Sequence, residues 1–213
     1  MIWALWALWG LVSWGWVVSP PAYFKEIVFN SELGAGAQRL SKWQKPIRIA
    51  LEGPFAEAAR PVLPIIIKEM EDLTGLSISL CAVPQMANLW IYVGSREEFL
   101  RRTALPASKL GKNEGFFYLR LGPDYEIEQG HIFIAAQNQW LTDIQAHLLR
   151  EELTQALGLV NDSWHCPHSI FYQGWTQTQS WAAIDRWLIR HLYHPKLTPG
   201  MTWAEAAHFL VSN

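Results

Sequence analysis

The longest apolar run, residues 2–18, carries no charge and no amphipathic pattern that would direct a helix into a core. Its length falls within the roughly 17–25 residues that cross a hydrocarbon layer. It ends at Ser19-Pro20-Pro21, so residues 1–18 are expected to be a membrane anchor or the apolar part of an export signal. No Lys or Arg precedes the run and no clean small-residue cleavage site follows it, which favours a retained anchor. Residues 19–45, with Pro, Ser and the Gly34-Ala35-Gly36-Ala37 run, read as a linker with a short helical candidate near Phe24, and residues 46–213 as the domain.

Within the domain the apolar period switches between two and about 3.6. Strands are predicted over residues 47–51, 77–83, 88–93, 116–121 and 131–136, which are rich in β-branched and aromatic side chains. A helix reaches Leu73 and stops at Gly75, with Pro61 and Pro64 confining its regular part to the later turns. Ser95 with Glu98, Thr142 with Gln145, and Thr202 with Glu205 have the spacing of capping boxes, and each marks a helix start. The second of these helices runs through Leu157 to Gly158; another spans residues 181–193, with Ile184, Leu188 and Leu192 on one face. The expected class is α/β (α+β): a mixed sheet of about five strands, a central helix, and a helical C-terminal part.

Composition narrows the partners. There are 17 Lys+Arg against 19 Asp+Glu, no basic run longer than Arg101-Arg102 and no finger-type Cys/His spacing, so no nucleic-acid partner is expected. Of the 13 Trp, five lie in the N-terminal run, while Trp164, Trp175, Trp181 and Trp187 crowd the chain after the central helix together with Phe171 and Tyr172. Such aromatics serve either as core or as a platform for a polypeptide or glycan. The two cysteines, Cys81 and Cys166, form one disulfide if the domain is exported, or remain free.

Chemistry concentrates on the central helix, where polar side chains stand at positions that should meet the core. Glu151 and Gln155 are one helical turn apart, Glu152 follows the first of them, Gly158 ends the helix, and Asn161 lies just beyond. A zinc peptidase of the metzincin type needs two ligands one turn apart, a glutamate base beside the first, a turning glycine, and a third ligand after it. The frame resembles that pattern, with Glu151, Gln155 and Asn161 in the three ligand positions and Glu152 in that of the base. All three histidines are missing. A site of Glu151, Gln155 and Asn161 offers oxygen donors only, which suit Mg²⁺, Ca²⁺ or Mn²⁺ better than Zn²⁺. His147, one turn before Glu151, allows an alternative set with Glu151 and His168.

A wider resemblance rests on Leu40-Ser41-Lys42-Trp43, Pro46, Leu73-Thr74-Gly75-Leu76, Ala87-Asn88, the run Glu151-Glu152-Leu153-Thr154-Gln155, Ser169-Ile170-Phe171 and Pro199-Gly200-Met201. In these the chain is similar to the bacterial family known as domain of unknown function 2927. The resemblance implies an exported domain on a zincin (metzincin-like) scaffold and brings no established activity. The expected protein is therefore a periplasmic-side envelope protein, anchored or secreted, with membrane contact through residues 2–18. Its old cleft binds a polypeptide or envelope partner without catalysis and without a cofactor. The alternative is a metal-dependent hydrolase with atypical ligands and Glu152 as its base.

Overall fold

The computed structural model describes residues 18–29, 39–174 and 176–211. The expected membrane segment, residues 2–18, lies outside the described residues except for Val18. Among the described residues no helix is long and apolar enough to cross a membrane.

The five strands are β1 (Ile47–Glu52), β2 (Ile78–Leu80), β3 (Leu89–Gly94), β4 (Gly115–Leu121) and β5 (Ile127–Ala135). They form one sheet in the order β2-β1-β3-β5-β4. β1, β2, β3 and β5 run parallel, and β4 returns antiparallel along β5 with Phe116 opposite Phe133. β4 is thus an edge, and among the described residues the backbone groups on its outer side have no strand partner.

Alternation divides the sheet's side chains between two cores. Ile47, Ile49, Ile91, Val93, Ile132 and Ile134 point into the larger one, whereas Tyr92, Phe133 and Phe116 join Phe99 and Leu110 in a smaller one on the other face. Helix α3 (Arg96–Thr103) and the short α4 (Ala107–Leu110) supply the cover on that smaller side. The larger core is closed by α2 (Leu63–Thr74), α5 (Asp143–Gln155), α6 (Ala183–Leu192) and α7 (Trp203–Val211). Each fully buried aliphatic side chain there contributes about 1.5–3 kcal/mol over leaving it in water.

Two expectations need correction. The segment expected as a linker contains α1 (Pro20–Phe29), which buries Tyr23, Phe24, Ile27, Val28 and Phe29; Leu40 and Trp43 are equally enclosed. Positions 23, 24, 27 and 28 share one helical face, and that face packs on α6 and α7, with Phe24 edge-on to Trp187 and Phe29 edge-on to Trp203. The packed body therefore starts near Pro20 rather than near Pro46. The second correction concerns β5, which starts four residues before the predicted strand. Its Glu128 and Gln129 are polar and read as a connection, but their backbone completes the ladder to β4, with Arg120 opposite Gln129. The cysteines are free; Cys81 lies just past β2 and Cys166 in the loop after α5.

Candidate functional site: the cleft over α5

Thr142 caps α5 reciprocally: its Oγ1 accepts from the Gln145 amide while the Gln145 side chain accepts from the Thr142 amide. At the other end Gly158 takes a left-handed backbone, φ +111°, and a Cβ there would stand 2.0 Å from the Ser41 carbonyl oxygen. The chain can turn against residue 41 only because that position has no side chain. The carbonyls of Ala156 and Leu157, left open by the helix end, accept from Trp43 Nε1 and Tyr193 Oη, each at 2.8 Å.

One stripe of α5, made by Ile144, His147, Leu148, Glu151, Glu152 and Gln155, lines a cleft of about 840 Å³. Its opposite wall is the start of edge strand β4 at Gly115, Phe116 and Phe117, with Asp162, Tyr172 and Thr176 from the irregular segment completing it. α5 packs directly on β4 and β5, so the spacing of the walls is set by the core. At Gly115 the contact leaves no room for a side chain: a Cβ there would lie 2.5 Å from Glu152 Oε1 and 3.0 Å from Leu148 Cδ2.

The polar side chains of the stripe are tied to different partners. His147 Nδ1 lies 2.6 Å from the Thr178 carbonyl oxygen and must donate to it, which leaves Nε2 facing Glu151 Oε2 at 3.3 Å. Burial alone would lower the His147 pKa, but the hydrogen bonds to Glu151 and Thr178 and the charges of Glu151 and Asp162 outweigh it, and the net shift is upward. Gln155 Nε2 donates to Asp162 Oδ1 at 2.7 Å. Glu152 is buried, and its Oε2 has no hydrogen-bond partner among the described residues. Its pKa is raised well above the usual carboxylate value, chiefly by burial and then by the neighbouring charges of Glu151 and Asp162.

Of the residues at the expected ligand positions, Glu151 and Gln155 face the cleft and Asn161 does not. Asn161 Nδ2 donates to the Glu26 carbonyl at 3.2 Å and to the Asp162 carbonyl at 2.9 Å, and its backbone amide donates to Ile27. Those α1 carbonyls lie in the last turn of a helix, where acceptors lack internal donors, so Asn161 tethers α1 instead of facing Glu151. Sequence spacing gives no sign of this tether, because nothing local links Asn161 to a helix more than 130 residues earlier in the chain. His168 is exposed and does not line the cleft, and His165 pairs with Glu26 at 3.0 Å, so the alternative set of His147, Glu151 and His168 is not assembled.

Zinc does not fit these residues. The donors present are nearly all oxygen, and among the described residues no group of three or more His, Cys, Asp or Glu side chains is able to hold a metal ion. The irregular stretch marked by Pro106, Gly111 and Gly115, whose turn residues suggest a loop bordering a cleft, does line it, whereas sequence patterns missed the contribution of Thr176, which sits in a segment without periodicity. Trp164 is exposed and meets Tyr172 edge-on at 5.8 Å beside the cleft, whereas Phe171 and Trp181 are core; Trp175 lies outside the described residues.

Residues 21–212 match the family model described as Protein of unknown function (DUF2927). Among curated proteins, no match to the chain is found.

Proposed function

The chain belongs to the DUF2927 family, and from that premise we propose that it is a non-catalytic domain on a zincin-like scaffold, whose cleft receives an extended polypeptide. The observation that carries this reading is the pairing of an open cleft with an unpaired strand edge. β4 offers backbone donors and acceptors along one wall, and an added strand could satisfy them while its side chains enter the cleft. The helix side of the cleft keeps the peptidase-like spacing, but Glu151 is paired with His147 and Gln155 with Asp162. Polar groups engaged with one another in this way replace the metal-binding function of the frame.

Export belongs to the same proposal: residues 2–18 tether or deliver the domain to the periplasmic side of the membrane, where it meets an envelope partner. Protease added to intact and to permeabilised spheroplasts tests this, since a periplasmic-side domain is cleaved in both.

The second reading, a metal-dependent hydrolase, is favoured by one feature, the buried Glu152 carboxyl with its raised pKa in the cleft. Against it, no three ionisable side chains converge among the described residues to hold the Lewis acid that such a base would assist. One experiment separates the readings. The full chain is incubated with casein, as an unfolded polypeptide, with and without Zn²⁺, Mn²⁺ or Ca²⁺, and both cleavage and amide exchange are followed. The binding reading expects no cleavage and slower exchange at Gly115, Phe116 and Phe117. Metal-dependent cleavage that disappears in Glu152→Gln would sink it.

A further inference from the structure

Buried polar atoms ordinarily have partners, so those without one are informative. Among the described residues, two enclosed and unpartnered side-chain oxygens belong to residues that line the same cleft: Glu152 Oε2 and Thr176 Oγ1. They come from segments 24 residues apart, one a regular helix and the other an irregular strand of chain. An enclosed carboxylate oxygen without a donor is costly, and a cleft wall is where a ligand can supply that donor.

The surroundings define which donor fits. Glu151 and Asp162 lie beside Glu152 and add negative charge, while His147 faces Glu151, and Gln155 donates its amide to Asp162. Lys109, Lys112 and Glu114 line the cleft on the side of β4. The floor is therefore acidic and short of donors, whereas the β4 side carries its own cations. This arrangement suits one positive charge and disfavours a polycation. A divalent ion is a poorer match, because it needs several converging oxygen ligands and among the described residues no three ionisable side chains form such a group. At about 840 Å³ the space also suits several residues of a chain better than a bare ion.

We infer that the cleft floor is a subsite for one basic side chain, lysine or arginine, of the bound polypeptide, with Glu152 Oε2 and Thr176 Oγ1 as acceptors and Glu151 and Asp162 alongside. The inference rests on the polypeptide reading and names its specificity. A lysine ammonium brings donors and no acceptor, which suits the carboxylate oxygen and a lone pair of the Thr176 hydroxyl, whose own proton remains free to turn toward a carboxylate. The β4 edge holds the backbone, and the floor selects the side chain.

The test uses the full chain and end-blocked threonine-valine peptides that differ only at one central residue: lysine, arginine, norleucine or glutamate. Affinities are measured by fluorescence anisotropy. The lysine and arginine peptides are expected to bind about tenfold or more tightly than norleucine, with glutamate weakest. In Glu152→Gln and, separately, Thr176→Val the preference should shrink while norleucine binding persists; retained norleucine binding reports an intact fold. Equal affinity for lysine and norleucine in the unaltered protein overturns the subsite and leaves the polypeptide reading standing. No binding by any of the peptides overturns both. Saturable Mn²⁺ or Ca²⁺ binding that Glu152→Gln removes, without a lysine preference, overturns the subsite in favour of a metal.

Discussion

The two faces of α5 carry similar residue types and treat them differently. On the core face, Arg150 donates to Glu69 at 2.6 Å and lies over the Trp181 ring at 4.6 Å, while Thr154 accepts from Trp181 Nε1 at 2.9 Å. Partners reach it from α2 and from the segment before α6, and the Thr154 hydroxyl also donates to the Arg150 carbonyl, so both side chains named there are satisfied within the fold. On the cleft face, two residues along from Arg150, Glu152 is similarly buried and has an oxygen with no partner among the described residues. A buried polar group that serves the fold is satisfied within the fold, and one left open at a cavity wall points outward to a ligand.

The largest effect should come from the side that holds the fold together. Gly158→Ala puts a Cβ into the Ser41 carbonyl and forces an alanine to φ +111°. A loss of about 4 kcal/mol is expected, read as a fall in thermal midpoint or as failure to accumulate folded protein. Arg150→Met removes the pair to Glu69 but keeps contact with Trp181. Because Glu69 is 30% exposed and still near Arg186, about 2 kcal/mol is expected rather than the full cost of stranding a buried charge. Urea unfolding checks it, and an unchanged midpoint would break the contrast between the faces.

On the cleft face the expected effects are smaller. Gly115→Ala crowds Glu152 Oε1 and should cost about 1–2 kcal/mol, while also narrowing the cleft, so peptide affinity should fall more than stability. Glu152→Gln should leave stability at neutral pH unchanged or higher, since it removes a carboxyl that the fold holds without compensation.

The pH dependence sharpens the same point. Glu152 has its folded pKa above the ordinary 4.5, so the folded state binds the proton more tightly than the unfolded chain. Stability then falls as pH rises from about 4.5 toward that higher folded value. His147 acts in the same direction: its raised pKa gives stability that is present below about 6.5 and lost as pH rises through the folded value. Urea midpoints measured across this range should decline with pH, and Glu152→Gln should flatten the acidic part of the decline while sparing the part due to His147. An unchanged slope in Glu152→Gln would show that the carboxyl is not buried as described.

Much of the architecture was legible in local patterns because local chemistry decides it. Ser95 and Thr142 were readable as caps, since a hydroxyl three residues before an available amide acts within one turn, and both hydrogen bonds are made. Gly75 and Gly158 were readable as helix ends for the same reason, and both have positive φ. The five strands were readable from their β-rich runs, and Glu151, Glu152 and Gln155 could be placed on one helix from spacing alone. The helix near Phe24 was readable as well, but the pairing of Glu128 and Gln129 and the burial of α1 against α6 and α7 were not, because each is stabilised by a partner remote in the chain.

The sequence by itself determined a five-stranded α/β chain, the polar stripe of α5, and the absence of the histidines that a zinc site requires. Tertiary structure alone decided that α1 belongs to the core, that Asn161 serves α1, that the edge strand at the cleft is β4, and that Glu152 and Thr176 line one cavity. The physical reason is range. Turn geometry, capping and periodicity act over a few residues, whereas burial and hydrogen-bond satisfaction depend on which distant segments the packed core brings together.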